Sequence, residues 1–441
     1  VWTQLQKISS SDGDNADKFG FSIDVSGTTL IVGAPLHDGA GDNRGAAYIF
    51  EETGGTWLET QKLMASDASN SDDFGFSVSV DGDIAVVGAS FADPLGNNSG
   101  AAYIFERSGG TWSETVKLVP SDGQPNDAFG HSVAVKGTTI FVGAWLKAAG
   151  GNMRGQVYRY EKVGGIWNEQ APILPDMQQD EVRFGTHIDF DGTTLVVSAQ
   201  REDTVAGVDA GAVYLFEKDG ADWVQTQRLT SSDALGEDVF GSSPAVNGSV
   251  LVVGARLRDE GGTDRGAAYV FKRNAGTWEE YVRLTALDAA DNDEFGRPTS
   301  VEGDKVIVGA EFEDGGGTDQ GAAYVLDVAP ESDSATVNLD VNPTNEDDPV
   351  AGDDEGQSDE DTVLTNLTDP AGAQSVLVND SDPDTGDSIE VVGFSPQSAF
   401  GATVQVNTNG TFTYDPSSAM VLQALRTGTE VDTFTYTLRD S

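Results

Sequence analysis

The sequence predicts an all-β protein: a six-bladed β-propeller of four-stranded blades over residues 1–327, then a small Ig- or cadherin-like β-sandwich over residues 349–441. Three observations carry this prediction. Four sequence markers recur six times in register, the segments between turn signals are short and rich in β-branched and aromatic residues, and composition changes near Val328.

The beat is set by Phe-Gly pairs beginning at Phe19, Phe74, Phe129, Phe184, Phe240 and Phe295, spaced by 55, 55, 55, 56 and 55 residues. Tryptophan keeps the same time at Trp2, Trp57, Trp112, Trp167, Trp223 and Trp278, and so does tyrosine at Tyr48, Tyr103, Tyr158, Tyr214, Tyr269 and Tyr324. A Gly-Ala or Ser-Ala pair starts at Gly33, Gly88, Gly143, Ser198, Gly254 and Gly309. The first copy divides into strand-like segments at 19–25, 28–34, 45–51 and 56–63. Ser26-Gly27, Asp81-Gly82, Asp191-Gly192 and Asn247-Gly248 read as two-residue type I′ hairpin turns, and Gly54-Gly55 and Gly109-Gly110 as a second tight reversal. Each unit is thus a four-stranded antiparallel meander. The chain opens inside a fourth strand near Trp2, and the sixth unit stops after its third strand near Asp327. The N-terminal strand is therefore expected to close the last blade and remove an open sheet edge.

From Val328 to Ser441 there are 22 acidic residues and two basic ones, Arg426 and Arg439. Residues 328–348 read as an acidic linker around one strand-like stretch, and the alternating segments after it predict an antiparallel sandwich. Asp432-Thr-Phe-Thr-Tyr436 is the last strand-like segment, while Ser334 to Val341 reads as a further strand placed ahead of the domain. An open edge that accepts it, from the same chain or from a neighbour, is a route to self-association or a filament.

Composition excludes several functions. With 73 acidic and 25 basic residues the formal charge is −48, which disfavours nucleic acid and acidic membrane surfaces. No cysteine means no disulfide, thiolate metal site or thiol catalysis. Only His37, His131 and His187 offer imidazole chemistry, and no apolar run is long enough for a direct membrane span.

In an up-and-down blade the inter-blade connections and the second-to-third loops share one face, and both are acidic here. The inter-blade loops carry the pairs Asp12 and Asp17, Asp67 and Asp72, Asp122 and Asp127, Asp233 and Asp238, and Asp288 and Asp293. The second-to-third loops add Asp38, Asp93, Asp203, Asp259 and Asp314. Two readings stay open: these side chains cap loop backbone N–H groups, or they hold calcium. The third and fourth units depart from the pattern, with Ala148, Met153, Met177 and Val182 at otherwise polar positions and Trp145 the one tryptophan off the beat. Trp145, Lys147, Arg154 and Met177 form a less acidic, aromatic candidate patch for a protein or glycan ligand; the bland alternative is drift in one blade.

Phe19-Gly20 together with Gly33-Ala34-Pro35 resembles the FG-GAP repeats of the integrin α-subunit propeller and its bacterial relatives, over residues 1–327. The integrin rings have seven blades against six here, and their DxDxDG calcium loop is replaced in every copy by the two-residue hairpin, so calcium is not expected at that place. Val376 to Asp387, Gly410 to Tyr414 and Asp432 to Tyr436 resemble the VCBS and cadherin-like repeats of bacterial surface adhesins, and the resemblance implies a further strand after Tyr436, so the sandwich is expected to lack its last strand, either because it accepts Ser334 to Val341 or because the sequence stops inside a tandem array. Asp380, Asp382, Asp384 and Asp387 alternate around a glycine in a spacing suited to calcium, and Asp353, Asp354 and Glu360 could complete an inter-domain site. These resemblances imply a secreted or cell-surface, calcium-stabilised, non-catalytic adhesion or structural protein. A carbohydrate-binding propeller is the alternative. A propeller hydrolase is a weaker one, because no G-x-S-x-G element is present.

Overall fold

The computed structural model describes residues 5–14, 16–38, 41–150, 152–176, 179–259, 261–313, 321–328, 364–365, 375–377, 390–418 and 431–439, and the backbone of 335–341 and 354–358. The chain divides into two compact units, Val1–Leu326 and Asp327–Ser441.

The first unit is six antiparallel sheets, each wound in chain order from an inner to an outer strand. The first blade contains β1 (Ser22–Ser26), β2 (Thr29–Ala34), β3 (Ala46–Thr53) and β4 (Thr56–Leu63); the second, β5 (Ser77–Asp81), β6 (Ile84–Ala89), β7 (Ala101–Ser108) and β8 (Thr111–Leu118). The third holds β9 (Phe129–Lys136), β10 (Thr139–Ala144), β11 (Gln156–Val163) and β12 (Ile166–Glu169); the fourth, β13 (Ile188–Phe190), β14 (Thr194–Ala199), β15 (Ala212–Asp219) and β16 (Asp222–Leu229). The fifth holds β17 (Phe240–Asn247), β18 (Val250–Ala255), β19 (Ala267–Asn274) and β20 (Thr277–Leu284), and the sixth β21 (Phe295–Glu302), β22 (Lys305–Ala310) and β23 (Ala322–Asp327).

The predicted hairpins form, but one residue later and with a different turn. Ser26 pairs with Thr29 and Asp81 with Ile84, so the central residues are Gly27-Thr28 and Gly82-Asp83. Only the glycine of each pair has a positive φ, +59° and +58°, which is the type II′ pattern and not the type I′ expected. The β3–β4 turn is the type I′ one: Thr53 pairs with Thr56 around Gly54 and Gly55, both at positive φ.

The 55-residue beat follows from how each blade seats on the one before it. The Phe-Gly of one blade bridges to the glycine that opens the third strand of the preceding blade, Gly45 to Phe74 and Gly100 to Phe129. Phe74 is fully buried and meets Tyr103 and Phe105 edge-on. Burying one such ring is worth roughly 1.5–3 kcal/mol. The glycine of the Gly-Ala marker leaves room for the next blade's backbone, since a Cβ on Gly33 would lie 2.1 Å from the Gly75 carbonyl oxygen. Farther out, the Gln61 side chain imitates a strand: its Nε2 donates to the Trp112 carbonyl and its Oε1 accepts from the Trp112 N–H.

Closure between the first and last blades is only partly described. The sixth sheet has three described strands; residues 1–4, which begin the segment expected to complete it, lie outside the described residues, and residues 5–10 follow without strand pairing. Gln6 nevertheless grips Trp57 through the same two hydrogen bonds that Gln61 makes to Trp112, one repeat on. At this seam Ile23 (66% exposed) and Val25 (56%) of β1 look away from their own blade, and so do Ile307 (44%) and Val325 (40%) of the sixth blade. Their repeat equivalents Val80, Val135, Val196 and Val270 are buried.

In the second unit the strand expected in the linker belongs to a sheet. β24 (Ala335–Val341) lies between β25 (Asp354–Ser358), antiparallel, and β29 (Val431–Arg439), parallel. β26 (Glu390–Phe394) completes this sheet, and β27 (Thr403–Val406) pairs with β28 (Phe412–Asp415). The stretch thus sits beside the Asp432 strand within its own chain. Val376, Val404, Phe412, Tyr414 and Phe434 make the core, and buried Tyr414 donates to Asp432 at 2.7 Å.

Candidate functional site: the loop rim and the axial mouth

The first aspartate of each inter-blade pair accepts a hydrogen bond from the repeat tyrosine hydroxyl: Tyr48 to Asp12 at 2.8 Å, Tyr103 to Asp67 at 2.9 Å, Tyr158 to Asp122 at 2.5 Å, Tyr269 to Asp233 at 2.7 Å and Tyr324 to Asp288 at 2.8 Å. A basic side chain takes another oxygen in several copies, with Lys62 on Asp12 and Lys117 on Asp67. The Lys62 hydrogen bond holds the Asp12 carboxyl below the usual range. The second aspartate caps the loop, accepting from the backbone N–H three residues earlier: Asp14 to Asp17, Ser69 to Asp72, Gln124 to Asp127, Leu235 to Asp238 and Ala290 to Asp293. Asp38, Asp93, Asp203 and Asp259 likewise cap N–H groups in their own loops. Among the described residues no three His, Asp or Glu side chains converge on a point that could hold a metal. Asp380, Asp382, Asp384, Asp387, Asp353, Glu360 and Asp314 lie outside the described residues, and of Asp354 only the backbone is described.

The patch expected from Trp145, Lys147, Arg154 and Met177 is not assembled. Lys147 is buried and donates to Asp127 at 2.9 Å and to the Asp122 carbonyl, so it is a strut within the third blade. His37 and Arg258, two repeats before and two repeats after Lys147, make the equivalent contacts with Asp17 and Asp238. Arg154 is paired with Asp180 at 2.7 Å, and Met177 lies outside the described residues. The break in the fourth unit is compensated from another loop. Glu202, buried behind the second strand, accepts from Tyr214 at 2.7 Å and from Arg228 at 2.8 Å, taking over the role that an inter-blade aspartate has elsewhere.

Trp145 instead belongs to a group that sequence reasoning did not gather. Planar side chains follow one another from blade to blade: Phe21 against Phe76 at 5.0 Å, Phe76 against His131 at 4.7 Å, His131 against Trp145 at 4.8 Å, and the Arg183 guanidinium over Trp145 at 4.8 Å. These residues come from three repeat positions: the one before Phe-Gly, the one after it, and the one after Gly-Ala. The first two open the inner strand of a blade and the third follows its second strand at the same end of the sheet, so together they ring the loop-side mouth of the propeller. Here the copies differ most. Read around the ring, the position after Phe-Gly is Phe21, Phe76, His131, Thr186, Ser242 and Arg297, and the position after Gly-Ala is Pro35, Ser90, Trp145, Gln200, Arg256 and Glu311. Aligning the six copies and asking where they disagree would have found this mouth.

Its electrostatics run against the rest of the molecule. His131 and His187 are held down to about 3 by burial, with Arg297 the next cause for both, so they are neutral at pH 7. Arg183 makes no ion pair among the described residues, and Arg297 has its nearest carboxylate, Glu311, at 4.0 Å. Arg183 Nε, Trp145 Nε1 and His187 Nδ1 are buried without a hydrogen-bond partner. Below the mouth, Asp24 accepts from the Val80 N–H and Asp189 from the Val246 N–H, joining adjacent inner strands. Burial pushes Asp189 up to about 6 and raises Asp24 as well.

A family profile described as the FG-GAP repeat matches six times, at residues 2–50, 57–105, 112–160, 167–216, 223–271 and 278–326. One for the bacterial cadherin-like domain matches residues 346–441. Comparison with curated proteins finds no match. Among solved structures the chain is similar to a candidate 6-phosphogluconolactonase of Bacteroides uniformis, at 13% identity over 70% of this chain and 86% of that one with a TM-score of 0.48. It is also similar to the periplasmic gluconolactonase of Pseudomonas aeruginosa, at 16% identity over 74% and 88% with a TM-score of 0.45. Likeness at this level bears on neither activity nor substrate.

Proposed function

Because the chain belongs to the FG-GAP repeat family and carries a bacterial cadherin-like domain, we propose that it is a surface adhesion-type protein, extracellular and non-catalytic. The propeller presents a recognition face, and the cadherin-like domain is a spacer stiffened by calcium bound at Asp380, Asp382, Asp384 and Asp387. The observation that carries this reading is the use made of the repeated acids: those described are tied to tyrosines, basic side chains or backbone N–H groups. Side chains committed to holding loops are poorly placed for proton transfer, which needs a group poised to gain and lose its proton at a reacting atom. Among the described residues no helix is long and apolar enough to cross a membrane.

The test is attachment without turnover. Surface-immobilised full chain is expected to retain cells or extracellular matrix, and to leave lactone, ester and glycoside substrates unchanged. Calcium is expected to raise the thermal midpoint relative to chelator, and replacing all four aspartates by asparagine is expected to abolish that rise. Hydrolysis that tracks with the purified chain would overturn the non-catalytic reading.

A further inference from the structure

Consecutive blades meet through two complementary faces. On the leading face a phenylalanine and two β-branched residues project: Phe74, Val78 and Val80 of the second blade share one core with Ile31, Ala47 and Ile49, the receiving face of the first. Phe240 and Val246 of the fifth blade meet Val196, Val213 and Leu215 of the fourth in the same way. The backbones touch as well, since a Cβ on Gly75 would lie 2.2 Å from the Ala46 carbonyl oxygen.

At the seam between the sixth and first blades both faces are present and neither is covered. On the first blade Ile23 and Val25 are exposed, and Phe19 is half-buried where Phe74, Phe129, Phe184, Phe240 and Phe295 are fully buried. A Cβ on Gly20 would meet nothing within 4 Å. On the sixth blade Ile307, Ala323 and Val325 are exposed, whereas their counterparts Val252, Ala268 and Val270 are buried. The nearest atoms to a Cβ on Gly309 belong to Arg297 and Pro298 of its own sheet, where Gly33 and Gly88 meet the next blade. Five blade-to-blade steps, each made through the same glycine–phenylalanine bridge, therefore leave the two end faces apart. The outer place between them is nevertheless held. Gln6 grips Trp57, and Ser11 donates to Glu59 through its N–H and hydroxyl, as Gln61 and Ser66 do to Trp112 and Glu114 one repeat on.

We propose that the seam is an acceptor site for the three inner strands of a further FG-GAP sheet, whose outer edge is the segment held by Gln6 and Ser11. The occupant's phenylalanine and β-branched pair bury Ile307, Ala323 and Val325, and its own receiving face covers Phe19, Ile23 and Val25. Main-chain pairing with the segment around Gln6 supplies affinity, and the two apolar faces supply register. The six copies in this chain are already seated in blades, so the occupant is a seventh copy from outside these 441 residues. The site does not depend on what the loop face recognises.

Calorimetric titration of the full chain with a polypeptide of residues 66–108, the inner strands of the second repeat with their loops, tests the proposal. Saturable one-to-one binding is expected. Val25→Asp and Val325→Asp in the full chain are each expected to weaken it at least tenfold, because binding would bury the new carboxylate. Both positions are exposed, so the thermal midpoint of the unbound variants is expected to stay that of the parent. Where the free polypeptide is insoluble, residues 66–110 are joined directly to Val1; the fusion is expected to melt several degrees higher than the parent, and Val325→Asp to remove that gain. Absence of both binding and the gain overturns the proposal, as does binding that neither aspartate weakens. Val25→Cys with Val325→Cys, in a chain that has no other cysteine, is expected to stay reduced; an intramolecular disulfide would show that the two faces meet directly and overturns it. Dimerisation of the full chain that Val325→Asp abolishes, without uptake of the polypeptide, assigns the seam to a second copy and also overturns it.

Discussion

Glu202 shows how a repeat keeps its structure after losing a residue. In five copies a tyrosine hydroxyl meets an inter-blade aspartate; in the fourth, where the sequence has Met177, the acceptor comes from the second-to-third loop. Glu202 is 1% exposed and also holds Arg228. Glu202→Ala leaves a phenol and a guanidinium without their acceptor and is expected to cost roughly 2–4 kcal/mol in chemical denaturation. Met177 stands one period after Asp122, so adding Met177→Asp to that variant is expected to restore about half of the loss. The sequence showed the gap but not the repair, because register along a chain does not reveal which of two loops reaches a hydroxyl. The same limit explains Lys147, which composition marked as an exposed anchor and the structure seats on Asp127. The capping aspartates were legible, since their target N–H lies three residues away in the same loop.

At the scale of strands and turns the periodicity was nearly sufficient. All 23 described propeller strands fall within the repeated segments, because each must present the same face to the same neighbour. The turn frame was not legible: an Asp-Gly pair fits both registers, and the pairing of Asp81 with Ile84 is set by the sheet. Glycines in the unit consequently differ in what they tolerate. A Cβ on Gly88 would lie 2.0 Å from the Gly130 carbonyl oxygen of the next blade, whereas one on Gly82 meets nothing but carries the strain of φ +58°. Thermal or chemical unfolding is expected to show a loss above about 3 kcal/mol for Gly88→Ala and about 1 kcal/mol for Gly82→Ala. The fourth blade, with Ser198 in place of this glycine, has the shortest inner strand, Ile188–Phe190, and the Ser198 hydroxyl accepts from the His187 N–H.

For the ring as a whole, the acids nearest the axis set a pH dependence. Asp189 titrates near 6 when folded against about 4 when unfolded, so the folded state holds its proton more tightly. Its neutral form therefore stabilises the fold at low pH, and that contribution is lost as pH rises from about 4 through 6. Asp189→Asn carries no charge and keeps an oxygen for the Val246 N–H, giving up the bond from the adjacent Phe190 N–H at every pH. Relative to the parent, the variant is expected to be about 2 kcal/mol more stable at pH 7 than at pH 4, measured by urea denaturation at both values. His131 and His187 act oppositely below about 6.5, and they are unchanged in this comparison.

The seam beside β1 gives the ring a mechanical polarity. Tension between an anchored ligand and the cadherin-like domain would enter the propeller where the chain leaves it, at the end of β23. Antiparallel strands pulled from one end separate one rung at a time and not all together, so the sixth blade would yield first and stepwise. The second to fifth blades, gripped on both faces by their neighbours, would be spared, and the ring would behave as a fuse with its weak link beside the tether.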